Sequence, residues 1–237
     1  MKLKPKHKYF LFIVLSFILF TIIGTITHEL GHWTAAKIMG YDATINYRSA
    51  NYDDSEKLNQ LYQLFSEKNS AEEQSTEFAK ESEYLNLKKE VDRDSFYFTL
   101  GGVLQTILFG TLAFVWLLYR RKKSTNPQLN FTDYIAIFFS LFWLREIFNP
   151  LISVVQGLFL SGSIYFGGDE PKLSKYLGLP EGAVSIFLAV IGGMICYYVI
   201  YKILPKEKRS TFIDAGLVGG ILGYLLWMRL LGPVVMP

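Results

Sequence analysis

Cysteine is nearly absent from this chain of 237 residues: there is one, Cys196. No disulfide can form within the chain, and zinc sites closed by several thiolates are excluded with it. Histidine is scarce too, with His7, His28 and His32 the only three. Charged residues make up 19% of the chain, below the roughly 25% of an ordinary soluble domain. The net charge of +3 is no nucleic-acid footprint, because the basic residues stand beside apolar runs, where they set membrane topology. No internal repeat, low-complexity tract or phosphate-cradling glycine loop is evident, and Gly167-Gly168 does not make one.

What the chain has in excess is apolar surface, with 51% hydrophobic and 16% aromatic residues. Segments near spanning length run from Tyr9 to Ile38, Phe96 to Tyr119, Tyr134 to Leu160, Ala183 to Leu204 and Phe212 to Leu231. The expected fold class is all-α: a polytopic membrane helix bundle with about five transmembrane helices and a charged, partly helical outer loop. The first apolar run has a basic start like a signal peptide, yet no small-x-small cleavage site follows, so it reads as retained. Lys2, Lys4, Lys6 and Lys8 precede the first span, Arg120 to Lys123 follow the second, and Lys206, Lys208 and Arg209 follow the fourth. These flanks predict a multi-pass protein of the cell (cytoplasmic) membrane with its N-terminus in the cytoplasm and its C-terminus outside. Residues 41–95, with thirteen acids against seven bases, then fall outside.

The division expected is a single integral membrane domain over 1–237. It has a basic tail at 1–8, a first span at 9–40 and a soluble helical insertion at 41–95. The second and third spans with their loop occupy 96–182, and accessory fourth and fifth spans occupy 183–237. In the insertion, Leu58, Leu61, Leu64 and Phe65 recur at helical spacing, and Phe78, Leu85 and Val91 are set among charges. One or two amphipathic helices are predicted, with the turn between them near Lys68 to Gln74 and a role either as a cap over the site or as a solvated spacer.

The first apolar run ends in His28-Glu29-Leu30-Gly31-His32. Imidazoles four apart share a helical face and can hold one metal, and the Glu between them reaches a metal-bound water as general base. A chance match arises in about one chain of this length in several hundred. Polar residues at membrane depth are costly unless paired, metal-bound or wet, so His-Glu-His in this place calls for a metal. An open, hydrolytic site needs one further protein ligand, and with His7 and Cys196 badly placed that ligand is a carboxylate. Asp169 is preferred, because its double glycine permits close backbone approach; the plain alternative is a turn residue or the N-cap of a short helix starting near Pro171. Glu146 is the main rival, although its neighbour Arg145 offers an ion pair in place of a metal, and Glu170 ranks third. At about 1.5 Å per residue, Arg145, Glu146 and Asn149 of the third span and Gln105 of the second reach the depth of the motif. Arg145, Asn149 and Gln105 are therefore substrate-binding or supporting candidates, with an interhelical hydrogen bond the plainer reading of Gln105. Asp214 and Arg229 read as bundle or interface groups.

Thr27-His28-Glu29-Leu30-Gly31-His32, followed by Ala35-Ala36-Lys37 inside the first hydrophobic helix, resembles the site-2 protease group of intramembrane zinc metalloproteases. Gly101-Gly102-Val103-Leu104-Gln105 looks like that family's small-residue, amide-bearing stretch in its next core helix. The resemblance covers mainly the first three spans and implies zinc on His28 and His32, water activation by Glu29 and an Asp ligand from a later helix. Two departures imply a divergent branch. Asn149-Pro150 stands twenty residues before Asp169 without a Leu-Asp-Gly element, and the charge pattern places the motif outward. The expectation is a Zn2+-dependent intramembrane endopeptidase acting on a membrane protein or peptide substrate in the lipid bilayer. The alternatives are a catalytically inactive zinc-binding regulator or scaffold and, with least support, a metal transporter.

Overall fold

The computed structural model describes residues 5–74, 76–123, 128–161 and 165–237. The fold is all-α apart from one small hairpin, and among the described residues five helices are long and apolar enough to cross a membrane. Helix α1, Pro5–Ile38, is the first, so residues 5–8 of the expected tail are already helical. It stops at Gly40, where a φ of 88° lets Gly40 N–H reach Lys37 O and Tyr41 N–H reach Ala36 O, closing two orphan carbonyls.

The segment after α1 differs from expectation. It opens with a two-stranded antiparallel hairpin, β1 (Ala43–Ile45) and β2 (Ala50–Tyr52), in the register Ala43↔Tyr52, Thr44↔Asn51 and Ile45↔Ala50. Asn46 Oδ1 accepts from the N–H groups of Arg48 and Ser49 at 3.0 Å each, which shapes the turn. Helix α2, Ser55–Glu73, follows and runs straight through the stretch expected to turn. Helix α3, Glu81–Lys123, is the second span, and the second amphipathic helix expected in the insertion is its N-terminal part. Buried Asp94 ties these pieces together, accepting from Tyr41 Oη and from Lys57 Nζ at 2.8 Å. The Lys57 ammonium is raised above its ordinary pKa, chiefly by that hydrogen bond to Asp94.

The third span is built from α4 (Phe131–Ser140), a 3₁₀ turn at Leu141–Trp143 and α5 (Leu144–Gln156), continued by a π turn at Gly157–Ser161. Asn130 and Asp133 form a reciprocal capping box at its start. Helix α6, Glu170–Tyr176, is the short helix expected near Pro171. Helices α7 (Ala183–Tyr198) and α8 (Lys206–Leu225), each extended by a π turn, form the last two spans, and α9 (Gly232–Val235) closes the described chain.

Helix α1 packs along both α3 and α8. At its crossing with α3, Gly31 faces Gly101 so closely that a Cβ on either would lie 2.4 Å from the other's carbonyl oxygen. Two facing glycines let the backbones approach where no larger side chain fits. In the half of the bundle bearing the basic flanks, Phe138 stacks on Phe20 at 5.0 Å and meets Phe17 edge-on at 5.2 Å, with Phe212 behind. Ile13 and Ile137 are fully buried nearby. The opposite half holds the polar residues.

Candidate metal centre

The close crossing at Gly31 and Gly101 brings α3 alongside the His28–His32 face of α1. His28 and His32 are buried, and their Nε2 atoms lie 3.1 Å apart. Asp169 Oδ2 completes a triangle, 3.1 Å from His28 Nε2 and 3.2 Å from His32 Nε2. Asp169 stands at the N-cap position of α6, yet its side chain makes no capping bond and turns to the histidines instead. Lys172 Nζ approaches its other oxygen, Oδ1, at 3.5 Å. Among the described residues His28, His32 and Asp169 are the one group of three able to hold a metal ion.

Hydrogen bonds at the far side of each ring determine what points into the triangle. His32 Nδ1 lies 2.7 Å from the carbonyl oxygen of Phe98, a pure acceptor, so this nitrogen carries the hydrogen and Nε2 presents a lone pair. His28 Nδ1 lies 2.9 Å from Thr106 Oγ1. That hydroxyl spends its own hydrogen on Gly102 O, so it accepts from Nδ1, and His28 Nε2 presents a lone pair as well. Two imine lone pairs and a carboxylate oxygen thus converge; Arg145 Nη2 meets one of them at 3.0 Å, and a metal ion would meet all three. Tetrahedral zinc ligands about 2.0–2.1 Å from the metal are separated by about 3.3 Å, close to the observed edges. The donor set, its spacing and the outer hydrogen bonds all fit zinc. Gly102 supplies the room, since a Cβ there would lie 2.3 Å from His32 Nε2.

Glu29 is buried on the same helix, and its Oε2 accepts from Ala50 N–H of β2 at 3.0 Å. The hairpin is anchored from two sides: Trp33 Nε1 donates to Ala43 O at 3.1 Å and Trp227 Nε1 donates to Tyr47 O at 2.8 Å. Tyr47 N–H also donates to Met236 O at 3.0 Å. Because Asn46 N–H bonds Ser49 O, the adjoining Ile45↔Ala50 pair is of the non-hydrogen-bonded kind, and Ala50 turns its backbone groups outward toward Glu29. Tyr52 extends this wall over Phe98, whose ring stacks on His32 at 5.0 Å.

The other sequence-predicted residues separate into distinct places. Glu146 and Glu170 are both buried but stand outside the ligand triangle, and Asn149 Nδ2 donates to Glu170 Oε1 at 3.2 Å without reaching the histidines. Glu146 sets its carboxyl group against that of Glu170 and makes no ion pair with Arg145. Adjacent residues on a helix point in different directions, and Arg145 turns instead to His28 Nε2, with Nη2 at 3.0 Å. The interhelical hydrogen bond expected of Gln105 is also missing: both amide atoms are buried and unpartnered. Asp214 accepts from Ser210 on the surface of α8, and Arg229 is exposed. Sequence reasoning missed Thr106, the Phe98 carbonyl and the Ala50 N–H. Only Thr106 left a trace, as a hydroxyl one residue beyond Gln105 at the depth of the motif.

Fold and site together define a multi-pass membrane protein with a His-His-Asp centre near one end of its bundle. No family model, curated protein or solved structure matches this chain.

Proposed function

We propose that this protein is a zinc-dependent intramembrane endopeptidase, a divergent relative of the site-2 proteases, with the basic end of the bundle in the cytoplasm. The reading rests on one observation: the Nε2 atoms of His28 and His32 and Asp169 Oδ2 converge at 3.1–3.2 Å beside the glutamate of the same His-Glu-x-x-His helix. The likeness of residues 27–32 and 101–105 to that family's motifs supports it.

His28, His32 and Asp169 would hold the zinc, which when bound polarises a carbonyl and makes a nucleophile of water at neutral pH. Glu29 takes the proton from the attacking water and delivers it to the leaving nitrogen. Its bond from Ala50 N–H fixes one carboxylate oxygen and leaves the other for this exchange. A helical substrate has its backbone groups internally bonded, so it must unwind to be cut. Transport gains no support, because the bundle beyond the site is filled by Phe17, Phe20, Phe138 and Phe212.

Metal content tests the reading directly. Purified protein in detergent, supplied with zinc and then dialysed, is expected to retain close to one zinc per chain. Asp169→Ala should lose it and Glu146→Gln should keep it. Folded wild-type protein that takes no zinc, or Asp169→Ala that retains it fully, would overturn the assignment.

A further inference from the structure

Arg145 is a half-buried cation at the site whose bonding is incomplete. Its Nη2 donates to His28 Nε2 at 3.0 Å, while its Nε is buried without a partner. Glu29 and Glu146 are within electrostatic range of it, yet neither forms an ion pair with it. A guanidinium does not shed its proton, so the charge stays and the buried Nε–H calls for an acceptor, best an anion. The position narrows which anion. Nη2 lies against the nitrogen that stands 3.1 Å from Asp169 Oδ2 and from His32 Nε2, so a substrate oxygen entering beside His28 comes within reach of the guanidinium.

We propose that Arg145 is a catalytic residue that receives the negative oxygen formed at the scissile carbonyl. This rests on the peptidase reading. Water oxygen bonds to the carbonyl carbon, its proton passes to Glu29, and the C=O π pair moves onto the oxygen held by the Arg145 N–H groups. The pair returns as the C–N bond breaks and the nitrogen takes the proton from Glu29. Arg145 now sits on the His28 lone pair that a metal would take, so loading the metal frees that N–H for substrate.

The two roles predict opposite responses to one substitution. Zinc affinity is measured by chelator competition in full-length protein, for wild type, Arg145→Lys and Arg145→Gln. Binding is measured for two amide-capped hexaleucine pseudopeptides, one with a phosphinate at its centre and one with an uncharged ketomethylene, and for the phosphinate with a free carboxyl terminus. Arg145→Gln is expected to bind zinc as tightly as wild type or tighter. It should bind the phosphinate about 10²-fold more weakly, the loss typical of an oxyanion donor, and the ketomethylene within about threefold of wild type. Arg145→Lys, which keeps the charge and loses the fork, should fall between, and it carries the test if the Gln variant does not fold. Equal weakening of both probes, loss of zinc, or an unchanged phosphinate affinity overturns the role of Arg145 and leaves the peptidase reading standing. A deficit that follows the free carboxyl terminus assigns Arg145 to that terminus and overturns the role too. Wild type that takes no zinc, or takes it and binds neither probe, overturns both.

Discussion

The two ends of the bundle are built from the same long helices and reach opposite solutions to burial. At the basic end, polar groups are few and mostly paired: Arg120 meets Asp133, Lys208 Nζ donates to Tyr134 Oη at 3.2 Å, and aromatic rings fill the space between α1, α4 and α8. At the motif end, α1, α3 and α5 bury Glu29, His28, His32 and Glu146 together with the amide of half-buried Gln105, whose polar atoms have no partner. A buried polar atom left unpaired costs about 1–3 kcal/mol. The rings at the basic end gain from mutual packing instead, about 0.5–1.5 kcal/mol for each aromatic pair beyond its area. One end stabilises the molecule and the other gives up part of that stability to hold polar groups without partners, which is the pattern of a site poised for a ligand.

Substitutions that separate the two ends sharpen this contrast. The largest effect is expected from Glu29→Gln, which should lower peptide cleavage by about 10²–10⁴-fold with zinc content and thermal stability unchanged. Paired cleavage and metal assays check it, and retained turnover would remove Glu29 from the mechanism. Phe138→Ala at the other end should do the reverse, lowering unfolding stability by about 3–5 kcal/mol while the folded fraction binds zinc normally. A subtler comparison uses two threonines of α3. Thr106→Val strips His28 Nδ1 of its acceptor and should weaken zinc about 10–100-fold. Thr111→Val removes only the hydroxyl facing Trp143 Nε1 and should leave zinc affinity unchanged, so equal losses in a chelator titration would break the contrast. The smallest effect is expected from Lys57→Met, whose partly exposed bridge to Asp94 should be worth at most about 1 kcal/mol in a denaturant melt, with no change in zinc.

Much of this contrast was legible in the chain. Five apolar runs of spanning length fall where five helices stand, because a span must satisfy its backbone within itself and helix is then the only open structure. His28 and His32 share a face because four residues make about one turn. The hairpin escaped notice because strands of three residues are too short to show alternation, and they form here only because Trp33 and Trp227 hold them. The second amphipathic helix of the insertion was legible as a helix, but not as part of α3, since a change from charged to apolar composition does not interrupt backbone hydrogen bonding.

By itself the sequence determined the spans, the helical face bearing His28 and His32 and the presence of Glu29 between them, because each follows from local periodicity or adjacency along one helix. Only the tertiary structure decided among Asp169, Glu146 and Glu170, aimed Arg145 at His28, set Glu146 against Glu170 and left Gln105 unpartnered. Those outcomes depend on how far α5 and α6 fold back over α1 and on the glycine crossing of α1 with α3. Such distances between elements remote along the chain are set by packing, and no spacing of residues encodes them.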